Sequence, residues 1–315
     1  MATLLQNIQD VCLELGLPSP NAVATSNDPQ ILQLQALLNR AGDILSTERD
    51  WQVLAKEYRF ETVYYTYTGD VTEGSTTISN LSSVVGLSTD FMASGTGIQQ
   101  DSFLTSVGTT TAEMTIPSTQ TATGITITFG QAKYSMPDDY ARSVNKTQYN
   151  KSNRWSIIGP KDAQEWQWLK ASYVTTGPRM RYRIMGNKFT LWPMPSSVLV
   201  MGFEYVSNSW VLGADGTYKT KATADSDTFL FPDRLLVLGT KLKLFEIKGF
   251  DTTALIQDYV RELDKWKASE SGADTLSLSP KYPNLLLTQN NLPDTGYGFR
   301  QLNKLKQLSR IYFKS

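Results

Sequence analysis

The chain has 315 residues and a mass of 35.2 kDa, enough to bury a sizeable core in one large domain or in several smaller ones. Its 30 basic and 30 acidic residues balance to a net charge of zero, so it has no global field that would hold nucleic acid or an anionic membrane. It contains no histidine and one cysteine, Cys12, which excludes Ser–His and Cys–His nucleophile pairs, intramolecular disulfides and cysteine-rich metal sites.

No stretch of the sequence has the features of a signal peptide or a membrane span. The apolar N-terminus lacks a basic region and is interrupted by polar residues, and every other apolar run is far shorter than the roughly 18 residues of a spanning helix. We therefore expect no membrane insertion, and we expect the protein to stay in a reducing cytosol until it joins a larger assembly.

Four segments carry apolar residues at the spacing of three and four that is typical of amphipathic helices. Asp28 followed by Pro29 is a helix-start signal, because Asp can cap the helix and Pro suits its first position. The predicted helices are residues 2–16, 29–48, 233–248 and 252–269. Because their apolar stripes need burial, the predicted fold class is α+β, with a four-helix bundle built from residues 1–57 and 232–271 around an interrupting β-domain.

Residues 58–66 and 133–231 form the predicted β-rich domain. The alternation of aromatic and polar residues from Tyr58 to Tyr64 predicts one strand. A Gly-Asn pair at residues 186–187 lies between two alternating runs and predicts a hairpin with a two-residue turn. A short helix is expected at residues 162–171.

Residues 67–132 differ sharply in composition from the rest of the chain. From Thr66 to Gln131, 26 of 66 residues are Ser or Thr, and residues 61–132 contain no Lys or Arg. Short β-prone runs are separated here by Gly, Asn and Asp. This pattern predicts a small β-barrel or sandwich inserted into a loop of its host.

Residues 272–315 form a predicted extended docking arm. Pro and Gly interrupt them, while residues 281–315 carry six basic residues against one acidic residue, for a net charge of +5. Many Leu and aromatic side chains in such a broken segment favour docking on another chain, the alternative being an arm that packs on its own domain. The candidate docking residues are Tyr297, Phe299, Arg300, Leu302, Lys304, Leu305, Lys306, Leu308, Arg310, Ile311, Tyr312 and Phe313.

No motif for catalysis or cofactor binding stands out. Phosphate-binding loops, the dinucleotide fingerprint and the nucleophile elbow are all missing from the sequence. Asp138 and Asp139 are adjacent carboxylates, which turn or capping chemistry explains better than acid–base catalysis does. We therefore expect no enzyme activity, no cofactor, and no catalytic, cofactor-binding or metal site.

Three segments resemble head-to-tail adaptor proteins (connector or tail tubular A-like proteins) of short-tailed bacteriophages. They are the opening LLQNIQDVCLELGLPSP with the helix DPQILQLQALLNRAGDILSTERDWQ, the stretch YSMPDDYAR with strands ending in FTLWPMP, and FPDRLLVLGTKLKLFEIKGFD with YVRELDKWKA. The insert, with GSTTISNLSSVVGLSTDFMASGTGI, resembles a β-module that recurs in phage structural proteins.

The resemblance implies a structural virion protein of the tail or neck, present in the host cytoplasm before assembly. It implies that the chain assembles with itself into a ring of twelve copies under the portal protein. The C-terminal segment would reach the portal, the opposite face would receive the tail nozzle protein, and the insert would lie within reach of a tailspike or fibre. Genomic DNA would pass through the bore during ejection without sequence-specific binding, which a neutral or acidic lining favours.

Two alternative functions stay open. One is a tail-associated peptidoglycan hydrolase that uses Glu61, Asp138 or Asp139, and loss of muralytic activity on their substitution would support it. The other is a host-receptor or glycan-binding tail component that acts through the insert, and binding of residues 67–132 to host cells would support that.

Overall fold

The computed structural model describes residues 2–159, 162–171 and 180–270, which form a mixed α+β structure of five helices and several antiparallel sheets. Each predicted helix is present, with ends within two residues of the prediction. No helix among these residues is long and apolar enough to cross a membrane. The helices are α1 (Leu4–Leu15), α2 (Pro29–Glu48), α3 (Ala163–Ala171), α4 (Asp233–Lys248) and α5 (Thr253–Glu270).

Local capping signals set the ends of the helices. Thr3 and Gln6 form a capping box that begins α1, since each side chain accepts a hydrogen bond from the other's backbone N–H. The Asp28 side chain caps α2 as predicted. Gly16 and Gly249 adopt left-handed φ angles of 70° and 72° and end α1 and α4, a conformation that glycine adopts without strain.

Helix α4 is the central helix and packs against α1, α2 and α5. The interior also holds aromatic residues from outside the helices, notably Trp51, Trp210 and Phe231. Trp51 stacks on Trp266 of α5 with ring centroids 3.9 Å apart. A Cβ at Gly42 would lie 2.1 Å from the Trp210 ring, so glycine lets that ring lie directly against α2. The helical core is thus larger than the four apolar stripes predict.

Seventeen strands connect these helices within the described residues. In chain order they are β1 (Ala55–Glu61), β2 (Tyr64–Val71), β3 (Thr77–Ser79), β4 (Phe91–Ser94), β5 (Leu104–Val107), β6 (Ala112–Met114), β7 (Ala122–Gln131), β8 (Lys133–Ser135), β9 (Tyr140–Ser143), β10 (Tyr149–Asn150), β11 (Trp155–Ser156), β12 (Arg181–Met185), β13 (Lys188–Trp192), β14 (Val200–Ser207), β15 (Val211–Leu212), β16 (Tyr218–Lys219) and β17 (Thr228–Phe229).

Two antiparallel sheets share one aromatic core in the middle of the chain. One has the order β1-β14-β10-β11, with β9 also paired to β14, and the other has the order β12-β13-β8. Phe189 of the second sheet stacks on Phe203 of the first with ring centroids 5.2 Å apart. The predicted hairpin is confirmed as β12 and β13, and both Gly186 and Asn187 in its turn have a φ of 57°.

The single strand predicted from Tyr58 to Tyr64 is wrong. The chain leaves the first sheet at Thr62, whose backbone N–H donates to Leu199, and then begins β2 in a different sheet. Tyr58 packs against the aromatic core, whereas Tyr65 packs against the core of the new sheet. The inward side chains therefore lie at even positions before the break and at odd positions after it. Because apolar and hydroxyl side chains lie at both even and odd positions here, the sequence does not show where the inward positions change.

Residues 64–131, called the module from here on, form a six-stranded sheet in the order β4-β7-β2-β3-β6-β5. The sheet has a hydrophobic core of its own, which includes Ile78, Ile127 and Phe129. An antiparallel bridge joins Met92 of β4, one outermost strand, to Phe103, which directly precedes β5, the other outermost strand. The residues on either side of the module are called the host. The limits 67–132 and a barrel or sandwich form stay predictions.

A small sheet of β15, β16 and β17 lies against the helical core and was not predicted. Asp227, at its edge, is fully buried and accepts hydrogen bonds from the backbone N–H groups of Thr223 and Ala224. Its carboxylate also pairs with Lys219 Nζ at 3.0 Å. Burial alone would raise the pKa of Asp227, but these hydrogen bonds hold it below its ordinary value. The turn is therefore organised around one buried charge.

Candidate interaction surfaces

The predicted docking arm, residues 272–315, lies outside the described residues, and so do its twelve candidate docking residues. Their role stays a prediction. The described residues present four other features that bear on function: a carboxylate network, a lysine-lined junction, a face of hydroxyl groups, and two exposed helix stripes.

Asp139, a candidate catalytic carboxylate of the hydrolase alternative, is held in a hydrogen-bond network. Its oxygens lie 2.7 Å from each of Lys56 Nζ, Tyr205 Oη and Ser207 Oγ. Burial would raise the pKa of Asp139, yet the hydrogen bonds from Lys56, Ser207 and Tyr205 lower it. The Lys56 ammonium lies 3.7 Å from the centroid of the Tyr218 ring. Such a carboxylate is suited to joining β1 to β14 rather than to accepting a substrate proton.

The other two candidate carboxylates do not join this network. Asp138 and Glu61 are exposed, and the Asp139 side chain contacts neither of them. Among the described residues, no group of three or more Cys, Asp or Glu side chains is arranged to hold a metal ion. The geometry therefore assembles no carboxylate pair from the three predicted residues.

Two host lysines bind carboxylates of the module. Lys188 Nζ lies 2.5 and 2.6 Å from the two oxygens of Asp90. Lys170 Nζ, at the end of α3, lies 2.7 Å from Asp101. Both pairs are partly buried, so solvent screens them less than it screens most surface ion pairs. Both ion pairs therefore connect the module to its host.

An apolar cluster lies beside these ion pairs. Met92 of the module is buried together with Trp166 of α3 and Trp192 of β13. Phe103 packs against the same cluster, and Lys133 Nζ lies 4.2 Å from the centroid of its ring. The junction therefore combines an apolar centre with three host lysines, and helix α3 is held against the module.

The outer face of β4, β7 and β2 carries hydroxyl groups in rows. The strand register aligns them directly across the sheet, and their side chains alternate with the inward core positions. Ser94, Thr128 and Thr66 form one row, and Thr126 and Thr68 form the next. These two rows contain no charged residue and offer both donors and acceptors of hydrogen bonds, and Asp70 follows them on β2.

Two helices expose stripes with matching chemistry. On α5, Ile256 and Val260 are 42% and 45% exposed, although the sequence places them in the predicted buried stripe. On α2, Leu32 is 46% exposed and lies in a surface groove of about 460 Å³ that Ala36 and Arg40 also line. Apolar residues left exposed at helical spacing are candidate contacts with another chain.

The three lysines of the junction, Lys133, Lys170 and Lys188, are contact residues that sequence reasoning missed. Their only signal is compositional, because residues 61–132 contain six acidic residues and no basic residue, while Lys133 follows immediately. Lys170 and Lys188 lie far along the chain, and nothing in the local pattern points to Asp90 or Asp101 as their partners.

Comparison with protein families gives a match to the family described as SU10 adaptor protein, over residues 110–277. The match spans more than half of the chain and includes the last strands of the module, every host strand except β1, and helices α3 to α5. A comparison with curated proteins gives no significant match.

The matched region defines a structural protein of the phage adaptor type, which assembles into the head–tail connector and is associated with the virion. The chain belongs to the SU10 adaptor protein family. The resemblance to phage adaptors is confirmed at this level.

Proposed function

We propose that this chain is the subunit of a ring-shaped head-to-tail adaptor of a short-tailed phage, in the tail tubular A-like class. Twelve copies surround a bore, with the portal protein on one face and the tail nozzle protein on the other. The observation that carries the proposal is the match to the adaptor family over most of the host β-sheets and both C-terminal helices.

The charge distribution supports a channel that DNA crosses without being retained. The chain is neutral overall, and residues 1–50 carry two basic against six acidic residues. Because affinity for DNA depends mainly on Lys and Arg contacts to phosphate, a lining of this kind releases the genome easily. The helices that hold these residues are candidates for the bore.

Residues 272–315 are proposed to bind the portal. Phe299, Tyr312 and Phe313 act as the anchors, because buried aromatic residues dominate the energy of interfaces. The basic residues of the segment speed the encounter with an acidic portal surface and make it sensitive to salt.

Electron microscopy of the purified chain, alone and mixed with its portal protein, tests this function. We expect twelvefold rings seated on the portal. A variant truncated after Gly272 should keep its circular dichroism spectrum and its thermal stability but lose binding to the portal. Full-affinity binding of the truncated chain would show that the arm is not the docking element, while a full-length chain that never forms rings would overturn the function itself.

A second candidate function, glycan binding, is favoured by the rows of hydroxyl groups on the module. Uncharged rows of aligned donors and acceptors suit the hydroxyl groups of a surface polysaccharide. A Thr66→Val/Thr128→Val variant should then bind purified host polysaccharide more weakly than the full wild-type chain does. The matched control is Thr109→Val/Thr110→Val, which lies in the module but outside these rows. Equal binding by all three proteins would exclude this function.

A further inference from the structure

Helices α2 and α5 expose stripes that complement each other. On α2, Leu32, Ala36 and Arg40 are spaced by four residues and are exposed. On α5, the same spacing carries Ile256, Val260 and Asp264, which are also exposed. Each stripe reads apolar, apolar, charged along its helix, and the two charges have opposite signs.

The two stripes do not meet within one chain. Helix α2 turns its opposite face inward, where Ala41 lies against Gly239 of α4. Helix α5 packs on α4 through Tyr259 and Leu263. Both stripes therefore face away from the helical core.

The charged ends of the two stripes are Arg40 on α2 and Asp264 on α5. Within residues 2–159, 162–171 and 180–270, neither Arg40 nor Asp264 makes an ion pair or a side-chain hydrogen bond. Arg40 lines the surface groove of about 460 Å³ beside Lys221 and Asp43. The charge pattern continues one turn further with the same complementarity, because Asp43 follows Arg40 by three residues and Lys267 follows Asp264 by three. Lys267 already pairs with Glu48 of its own chain at 2.6 Å.

We propose that the α5 stripe of one copy docks into the α2 groove of the next copy. This inference rests on the proposed ring function and identifies the contact between neighbouring subunits of the ring. Charge complementarity sets the partner and the direction. In a parallel arrangement Ile256 meets Leu32, Val260 meets Ala36 and Asp264 meets Arg40. Helices of equal rise keep this register over several turns. An antiparallel arrangement would place Asp264 on Leu32 and Arg40 on Ile256, which desolvates both charges without pairing them.

This contact is heterologous, because each copy uses one surface toward one neighbour and a different surface toward the other. Such a contact generates a ring when its rotation closes. The small Ala36 side chain opposite Val260 lets the two helices approach closely, and Leu32 and Ile256 supply the apolar area.

Charge reversal tests the pairing. Arg40→Asp and Asp264→Arg should each weaken self-association by about tenfold or more, because each places like charges across the contact. The double variant should restore the wild-type value. The matched control is Asp10→Arg, because Asp10 is an exposed carboxylate on α1 outside both stripes, and this variant should assemble like the wild type. Mass photometry measures the assembled fraction of the full chain, with the portal protein added if the chain is monomeric by itself.

Cysteine cross-linking tests the direction. A chain with both Leu32→Cys and Ile256→Cys should form disulfide-linked dimers, trimers and longer species under oxidation, because these two positions meet only in the parallel arrangement. A mixture of the two single variants should stop at dimers. The natural Cys12 is fully buried and leaves the background low.

The outcomes separate this inference from the function on which it rests. Rings that assemble normally with either charge reversal, and that give no ladder of cross-linked species, would overturn the α2–α5 contact and leave the adaptor ring standing. A wild-type chain that stays monomeric both alone and with its portal would overturn the ring and this contact together.

Discussion

The helical region and the module are held together in different ways. The helical region brings together the two ends of the described chain: the Ala2 N–H donates to Asp233 at 3.0 Å, and Lys267 pairs with Glu48. The module buries a core drawn entirely from residues 63–129. The first core depends on contacts between distant residues, whereas the second is local.

The two regions also use charge differently. The helical region encloses one buried carboxylate, Asp227, within a turn of its own. The module has no basic residues and pairs Asp90 and Asp101 with lysines of the host. Because the module has a core of its own, we expect that it can be removed without unfolding the host, whereas the helical core should not tolerate disruption. The predictions that follow test this difference.

Leu38→Asp should have the largest effect. Leu38 is fully buried in the helical core, where a carboxylate would have no partner, so we expect a loss of about 3 kcal/mol or more in the free energy of unfolding. Urea denaturation followed by circular dichroism measures it. Leu13→Asp is the control, because Leu13 is 66% exposed on α1. Equal stability of the two variants would show that α2 is not part of the core.

Removal of the module should leave the host folded, with a loss of stability smaller than that of Leu38→Asp. The Gln131 N–H donates to the Val63 carbonyl at 2.9 Å, so a short Gly-Ser link can replace residues 64–130 without moving either end. Trp166 and Trp192 would lose the cover of Met92, and we expect a loss of about 2–4 kcal/mol.

The predicted limits provide a matched comparison for that deletion. Replacing residues 67–132 leaves three residues of β2 without a partner and removes the buried Ala132, so this variant should be the less stable of the two. Thermal melts of both variants decide the order. Failure of the 64–130 deletion to yield helical protein would mean that the host needs the module in order to fold.

Asp227→Asn should cost about 1–3 kcal/mol, because it removes the charge that the turn is built to bind. The pKa of Asp227 is lowered in the folded state, so its contribution to stability is present above the unfolded pKa of about 3.9 and is lost as the pH falls through the folded value. The difference between wild type and variant should therefore shrink below about pH 4. A difference that stays constant with pH would assign the effect to packing rather than to charge.

Sequence patterns predicted the helices well because their signals are local. Capping residues, Pro29 and the spacing of apolar residues lie within each segment. The hairpin at Gly186 and Asn187 was predictable for the same reason. The strand break at Thr62 was not, because it depends on which sheet each side of the chain joins.

The candidate surfaces were less predictable than the fold. Ile256 and Val260 have the spacing of a buried stripe, and only the packing of α5 on α4 shows that they remain exposed. Lys170 is 69 positions from Asp101 in the chain, and Lys188 is 98 positions from Asp90. A single sequence carries no signal for such distant ion pairs. The composition shows only that residues 61–132 contain six acidic residues and no basic residue.

Lys170→Met should have the smallest effect and tests the charged junction most directly. The variant keeps an apolar stem beside Phe103 but leaves the Asp101 carboxylate without its ammonium partner, and we expect a loss of about 1 kcal/mol. Lys265→Met is the control, because its pair with Glu262 is more exposed and should contribute less. Thermal melts in low and high salt measure both variants. The difference in melting temperature between wild type and Lys170→Met should be smaller in high salt, because salt screens the Lys170–Asp101 attraction that only the wild type has. If this difference is unaffected by salt, the apolar cluster of Trp166 and Trp192 holds the module alone, and the lysines of the host only cover its edge.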